Sequence, residues 1–183
     1  PGSFGIGYLN KIAHRIEEAH GRYIVFLKSA FPHEQSLDGV KIVIDCANGA
    51  AYKAAPMVFE ELGAEVISMG VSPNGVNINL DSGALHPKFV ARKTKEIGAS
   101  IGIALDGDAD RLILSDENGE IVDGDQVLAI AGLDMLERGQ LKGGAIVSTP
   151  MSNLGLELAL QAKGIRLERA AVGDRFVVER MRS

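Results

Sequence analysis

Along most of this chain, short apolar runs alternate with stretches whose apolar residues have helical spacing. Seven of the runs have the length and the flanking turn residues that are typical of strands. Between them, apolar residues recur every three or four positions, which indicates amphipathic helices. The predicted strands are 40–45, 65–69, 100–105, 111–115, 121–122, 145–148 and 166–172, and the predicted helices are 50–62, 86–97, 125–138, 152–163 and 175–181.

This alternation predicts an α/β fold of three layers, with helices on both faces of a mostly parallel sheet. One connection is different, because the six residues 106–111 are too few for a crossover between parallel strands. We therefore expect the strand at 111–115 to run antiparallel to the strand before it. The same rhythm restarts after residue 118, which predicts a partial second copy of the unit.

Two details of the helices follow from single residues. Pro56 falls inside the predicted helix 50–62, and proline is tolerated best in the first turn of a helix. Asp125 stands where the helix 125–138 begins, so we expect its side chain to cap that helix.

Composition narrows the class of protein. The 183 residues carry a formal net charge of −5, which argues against non-specific binding to nucleic acid or to an anionic membrane. No apolar run reaches about 20 residues, so no membrane-spanning helix is expected. A single cysteine and the lack of a signal-peptide pattern favour the cytoplasm. The 19 lysines and arginines still allow a local pocket for a phosphorylated ligand.

The candidate chemistry is concentrated directly after the strand 100–105. Asp106, Asp108 and Asp110 occupy alternate positions there, and Arg111 follows them. Carboxylates at this density repel one another unless a cation lies between them, and Mg²⁺ prefers oxygen ligands. We interpret the cluster as a magnesium site, with Arg111 as a partner for a phosphate group.

Three other interpretations of this cluster are open. It could be an ordinary exposed turn, although its place at the end of a strand is where α/β sheets bind ligands. It could be an EF-hand loop, since Glu117 falls at the twelfth position, but Arg111 stands where that loop needs glycine. It could belong to a haloacid-dehalogenase phosphatase, with Asp106 as the nucleophile. Asp110 stands where that group normally has Thr or Val, which favours the other interpretations.

The remaining chemistry-bearing residues are predicted to be ordinary surface or packing residues. The four histidines show no ligand spacing in the sequence, and Cys46 closes a predicted strand, where a buried, unreactive thiol is expected. The histidines are His14, His20, His33 and His86.

The segment Asp-Gly-Asp-Ala-Asp-Arg at 106–111 resembles the metal loop of the α-D-phosphohexomutases. Segments 45–50 and 73–79 are similar to the phosphoglucosamine mutase branch of that family, although Ser82 replaces a cysteine that is usual there. The resemblance covers nearly the whole chain. Further matching segments are 21–23, 123–126, 151–153, 155–157 and 172–177.

The resemblance implies one part of a four-domain enzyme that interconverts glucosamine 6-phosphate and glucosamine 1-phosphate. A phosphoserine and a bisphosphate intermediate carry the phosphoryl group in that family. It further implies that Mg²⁺ is held by Asp106, Asp108 and Asp110 together with the phosphoserine, and that Arg111 contacts the phosphoserine or the transferring phosphate. The turn formed by Gly173, Asp174 and Arg175 would orient the phosphosugar.

By the same resemblance, residues 4–20 are the remnant of a first domain, 21–118 a complete second domain and 119–183 the beginning of a third. No serine in the sequence is followed by His-Asn, the family's nucleophile context, so we expect this chain alone to be inactive. Three alternatives stay open: phosphomannomutase, phosphoglucomutase, or a non-catalytic module that binds magnesium or dimerises. A homodimer is compatible with the family.

Overall fold

The computed structural model describes residues 19–183, so the predicted remnant at 4–20 lies almost entirely outside the described residues. Within the described range the chain forms seven strands and six α-helices. The strands are β1 (Lys41–Asp45), β2 (Glu65–Met69), β3 (Ile101–Leu105), β4 (Leu112–Ser115), β5 (Ile121–Val122), β6 (Ala145–Ser148) and β7 (Arg166–Arg169). The helices are α1 (Ala19–Lys28), α2 (Ala54–Glu61), α3 (Lys88–Ile97), α4 (Gly124–Glu137), α5 (Leu154–Gln161) and α6 (Asp174–Met181).

The first five strands form one mixed sheet in the order β2-β1-β3-β4-β5. β1 pairs in parallel with β2 and with β3. β3 pairs antiparallel with β4, and the register places Leu105 opposite Leu112. The predicted hairpin is therefore confirmed, since the short connection 106–111 leaves no room for a crossover helix.

The alternation of side chains along β1 shows why helices cover both faces of this sheet. Ile42 and Ile44 are buried in a cluster with residues of α2, including Phe59. Val43 points to the opposite face and packs with Val90 of α3. Because each face of a strand is lined by every second residue, a strand that is apolar throughout needs cover on both sides. The predicted three layers are thus present in the first unit.

The second sheet contains β6 and β7, which are parallel and joined through α5. Leu156 and Leu160 of α5 form its buried core together with Ile165, and residues of α4 such as Leu133 pack against them. This is a smaller unit of the same β/α kind, as the sequence predicted.

Several predicted boundaries are wrong in detail. The helix predicted over 50–62 is interrupted at Lys53, where a short 3₁₀ turn gives way to α2, and Pro56 occupies the first turn of α2. The residue that caps α4 is Asp123, in a capping box with Gln126, and Asp125 lies in the first turn instead. β5 pairs antiparallel with β4 in the first sheet, although its sequence position suggested the start of the second unit.

Among residues 19–183, no helix is both long enough and apolar enough to cross a lipid bilayer.

Candidate metal site at the carboxyl edge of the first sheet

The β3–β4 hairpin brings the three predicted aspartates together. Oxygen atoms from Asp106, Asp108 and Asp110 all lie within 4.8 Å of one another. Asp106 is only 1% exposed, because it continues the buried strand β3, whereas Asp108 and Asp110 are exposed at the tip. Ala109 has a φ of 60°, an unusual angle for a residue other than glycine, and it turns the chain between the two exposed aspartates.

Arg111 lies against the buried member of this set. Its Nε donates a hydrogen bond of 2.7 Å to Oδ2 of Asp106, and its backbone N–H donates to Oδ1 at 3.1 Å. Burial raises the pKa of the Asp106 carboxyl, but the hydrogen bonds and the charge of Arg111 outweigh it and hold that pKa below its usual value. The Arg111 side chain as a whole remains 60% exposed to solvent.

The exposed Asp110 differs from Asp106, because its surroundings raise its pKa instead of lowering it. The negative charge of Asp108 is the largest influence on Asp110 and raises its pKa, with burial and the charge of Asp106 acting in the same direction. Nε of Arg111 lies 3.6 Å from Asp110, which offsets this only in part. The hairpin tip therefore carries more negative charge than Arg111 neutralises.

These residues fit a divalent cation. The ligands of Mg²⁺ are oxygens at about 2.1 Å, so two oxygens on opposite sides of the ion lie about 4.2 Å apart. Adjacent oxygens of an octahedral ion are closer, at about 3.0 Å. The three aspartate oxygens, all within 4.8 Å of one another, are therefore near enough to share one ion after their side chains move inward. Asp108 and Asp110 are exposed and can rotate, while Asp106 is fixed by Arg111. The donor set consists of carboxylates alone, which suits Mg²⁺ better than a soft metal.

Two further loops meet the metal loop at this edge, because β1, β2 and β3 are parallel and end on the same side. The turn after β1 contains Asn48 and Gly49, and the loop after β2 spans residues 70–83. The buried carboxylate of Asp45 joins them, since it accepts hydrogen bonds from the backbone N–H of Ala47 at 2.9 Å and of Gly83 at 2.8 Å. The motifs at 45–50, 73–79 and 106–111 are thus neighbours in space.

The other predicted ligand-binding residues lie in the second sheet. Gly173 has a φ of 130° and precedes α6, which begins at Asp174 after the carboxyl end of β7. Arg175 points along its own helix and pairs with Glu179 at 2.9 Å. Their role toward a phosphosugar stays a prediction.

Cys46, His20, His33 and His86, predicted to be ordinary surface or packing residues, lie in such positions. Cys46 is fully buried, and burial followed by the charge of Asp45 raises the pKa of its thiol to about 12. His33 and His86 are exposed, and His20 lies in α1. His14 lies outside the described residues. The EF-hand interpretation is wrong, because strands and not helices flank the aspartates.

Two protein-family profiles match most of the chain. Residues 21–119 match the profile described as phosphoglucomutase/phosphomannomutase, alpha/beta/alpha domain II. Residues 123–183 match domain III of the same series. The chain belongs to the phosphoglucomutase/phosphomannomutase family. That membership also excludes the haloacid-dehalogenase interpretation of the aspartates.

Several relatives within this family are closely similar to the chain. It is 60% identical over 169 residues to a phosphoglucosamine mutase of Geobacter sp. strain M21, a match that covers 92% of this chain and 37% of that protein. It is 60% identical over 170 residues to a phosphoglucosamine mutase of Pelobacter propionicus, covering 93% of this chain and 38% of that one. The chain thus spans little more than a third of the length of these relatives.

A solved structure shares the fold. The crystal structure of a phosphoglucomutase/phosphomannomutase family protein from Burkholderia thailandensis superposes with a TM-score of 0.73 at 25% sequence identity. The match covers 89% of this chain and 35% of that chain.

Sequence reasoning missed the residues between and beneath the aspartates. Gly107 is buried, and its carbonyl oxygen accepts a hydrogen bond of 2.8 Å from the backbone N–H of Ala50. Asn48 joins the turn to the loop after β2. The signal available in the sequence was that both segments follow parallel strands, and parallel strands share one carboxyl edge.

Proposed function

We propose that this chain supplies the magnesium-binding part of a phosphoglucosamine mutase, an isomerase that interconverts glucosamine 6-phosphate and glucosamine 1-phosphate. The observation that carries the proposal is the convergence of Asp106, Asp108 and Asp110 within 4.8 Å at a sheet edge of this family. The relatives named phosphoglucosamine mutase support the choice of amino sugar. The proposed reaction passes through a phosphoserine and a bisphosphate intermediate.

The proposed cofactor is Mg²⁺, which would lower the cost of gathering negative charge around a phosphoryl group. Asp106, Asp108 and Asp110 would hold it. Asp106 is the fixed ligand, because two hydrogen bonds from Arg111 orient its carboxylate. The two exposed aspartates can adjust their side chains to the cation.

Arg111 would act on the phosphate. Its Nε is engaged by Asp106, but the side chain is 60% exposed and the guanidinium has further N–H groups to donate. A planar guanidinium held at one edge offers its other edge to phosphate oxygens in a fixed orientation. Charge spread over those oxygens during phosphoryl transfer is stabilised by such a preorganised donor.

The second unit would orient the sugar. Gly173 caps α6, and Asp174 and Arg175 form its first turn, after the kind of strand end where sheets of this class bind ligands. The proposed ligand is therefore a phosphosugar held between the start of α6 and the metal loop. A homodimer and a cytoplasmic location are part of the same proposal.

The isolated chain is proposed to bind the cation weakly. It is also proposed to lack mutase activity, since the family's Ser-His-Asn nucleophile context does not occur in its sequence. Activity is therefore tested in a chimera. The matching segment of the Geobacter phosphoglucosamine mutase is replaced by this chain, and turnover is measured with glucosamine 6-phosphate and with mannose 6-phosphate.

We expect the chimera to turn over glucosamine 6-phosphate in preference to mannose 6-phosphate, and we expect the Asp108→Asn chimera to lose at least ~100-fold in kcat. If the chimera prefers mannose 6-phosphate, the chain would instead be assigned to a phosphomannomutase. Full activity of the Asp108→Asn chimera would rule out the metal role. Turnover by the isolated chain would overturn its proposed inactivity.

A further inference from the structure

Gly107 separates two of the predicted metal ligands, Asp106 and Asp108, and it is packed from two sides. On one side its carbonyl oxygen accepts the hydrogen bond from Ala50, and a Cβ placed at Gly49 would lie 2.2 Å from that oxygen. On the other side a Cβ placed at Gly107 would lie 2.7 Å from the Ile78 side chain and 2.8 Å from Nδ2 of Asn79. The contact at Gly49 is with backbone atoms, so that position requires glycine, whereas a side chain at Gly107 would displace Ile78 and Asn79.

The two elements that enclose Gly107 are joined to each other through Asn48. Oδ1 of Asn48 accepts a hydrogen bond of 3.1 Å from the backbone N–H of Ser72. Its Nδ2 donates to the carbonyl oxygen of Asn77 at 3.4 Å, and its own backbone N–H donates to Gly70 at 2.7 Å. One side chain therefore ties both ends of the segment 72–77 to the turn that holds Gly107.

The loop reaches Gly107 only because it is folded back in this way. The backbone N–H of Asn79 donates to the carbonyl oxygen of Ala47 at 2.9 Å, which seats Ile78 and Asn79 beside the metal loop. Within the loop, Asn77 bonds to Ser72 and Asn74 at 3.0 and 2.9 Å. The asparagines form a local hydrogen-bonded frame whose contact with the site is at Gly107.

We propose that Asn48 is a positioning residue for the metal loop. By tying the loop 72–79 to the turn at Asn48–Gly49, it fixes Gly107 and so sets the spacing of Asp106 and Asp108. This inference rests on the proposed magnesium site. Residues that orient metal ligands without touching the metal typically change affinity by about 10- to 100-fold when they are removed.

The chain offers variants that isolate this effect. Asn48 has a φ of 50°, a conformation that glycine adopts without strain. Asn48→Gly therefore removes both side-chain hydrogen bonds and leaves the backbone free to keep its shape. Asn77→Ala loosens the loop without altering position 48, and it serves as the second test if Asn48→Gly fails to fold. Val76→Ala is the control, since Val76 lies in the same loop and is 85% exposed.

The measurement is Mn²⁺ binding to the 183-residue chain, followed as free Mn²⁺ by electron paramagnetic resonance. We expect Asn48→Gly to weaken Mn²⁺ binding at least ~10-fold, Asn77→Ala to weaken it by less, and Val76→Ala to bind as the unaltered chain does. Hydrogen exchange of the metal-free variants gives an independent result. Exchange of the amides at 107–109 should accelerate in Asn48→Gly and not in Val76→Ala.

The possible failures are distinguishable. If Asp108→Asn abolishes binding while Asn48→Gly and Asn77→Ala bind within twofold of the unaltered chain, the positioning role is overturned and the magnesium site stands. If the unaltered chain fails to bind Mn²⁺, or binds it equally well with Asp108→Asn, the metal site is overturned and the positioning role falls with it.

Discussion

Arg111 donates hydrogen bonds to both oxygens of the buried Asp106 carboxylate, from its backbone N–H to Oδ1 at 3.1 Å and from its Nε to Oδ2 at 2.7 Å. A carboxylate that is 1% exposed would otherwise favour its neutral form. The pair therefore keeps Asp106 ionised, which a cation ligand requires.

Replacing Arg111 tests this relationship directly. In the metal-free chain we expect Arg111→Met to raise the pKa of Asp106, because burial remains while the side-chain hydrogen bond and the charge are lost. Arg111→Lys should give an intermediate pKa, since it keeps the charge without the planar fork. The measurement is a ¹³C NMR titration of the aspartate carboxyls. If Asp106 titrates unchanged in Arg111→Met, the side chain of Arg111 does not lower the pKa of Asp106.

A pH dependence is expected at Asp116, in the turn that joins β4 and β5. The backbone N–H of Glu120, followed by the side chain and N–H of Asn118, holds the pKa of Asp116 below its usual value. Since the folded pKa lies below the unfolded one, acid favours the unfolded state. The stabilisation is present above the unfolded pKa and is lost as the pH falls through the folded pKa.

Thermal unfolding of the unaltered chain and of Asp116→Asn between pH 7 and pH 2.5 checks this. The unaltered chain should have the higher midpoint at pH 7, and the difference should shrink as the carboxyl becomes protonated. A difference that is constant across the range would mean that the charge of Asp116 contributes nothing.

Cys46 should be unreactive in the folded chain. Its pKa of about 12 leaves far less thiolate at pH 8 than an ordinary cysteine has, and the thiolate is the nucleophile. We expect alkylation by iodoacetamide to be at least ~100-fold slower than in denaturant. Mass spectrometry of timed samples measures the rate. Comparable rates in the two conditions would show that the thiol is accessible in the folded state.

Two leucines on α5 provide a matched test of the second core. Leu160 is fully buried, whereas Leu158 is 55% exposed. Leu160→Ala should lower the free energy of unfolding by about 2–5 kcal/mol, because it removes buried methyl groups and leaves a cavity. Leu158→Ala should cost less than about 1 kcal/mol. Denaturant unfolding measures the loss of free energy, and hydrogen exchange of the β6 and β7 amides shows where the chain is destabilised. Equal losses in the two variants would contradict the assignment of Leu160 to the core.

The sequence predicted most of the first unit because its signals are local. Strand β2 was predicted with its observed bounds, and the hairpin after β3 followed from the length of its connection alone. The aspartates were found for the same reason, since their spacing and their place after an apolar strand are visible without a structure.

What the sequence did not predict depends on contacts between distant residues. The prediction that Asp125 caps α4 is wrong, because Asp123 forms a capping box with Gln126. β5 joined the first sheet because β4 offered it a free edge. The bonds from Asn48 to Ser72 and Asn77 cross more than twenty positions, and no periodicity in the chain encodes them.

The close approach of Gly49 to Gly107 also bears on how such sequences can change over time. A side chain at position 49 would collide with the backbone of position 107, 58 positions further along the chain. The residues that position 49 can accept therefore depend on the conformation of the metal loop. Substitutions in these two loops are expected to be epistatic. Random libraries of this chain should recover residues larger than glycine at position 49 only alongside compensating changes in the metal loop.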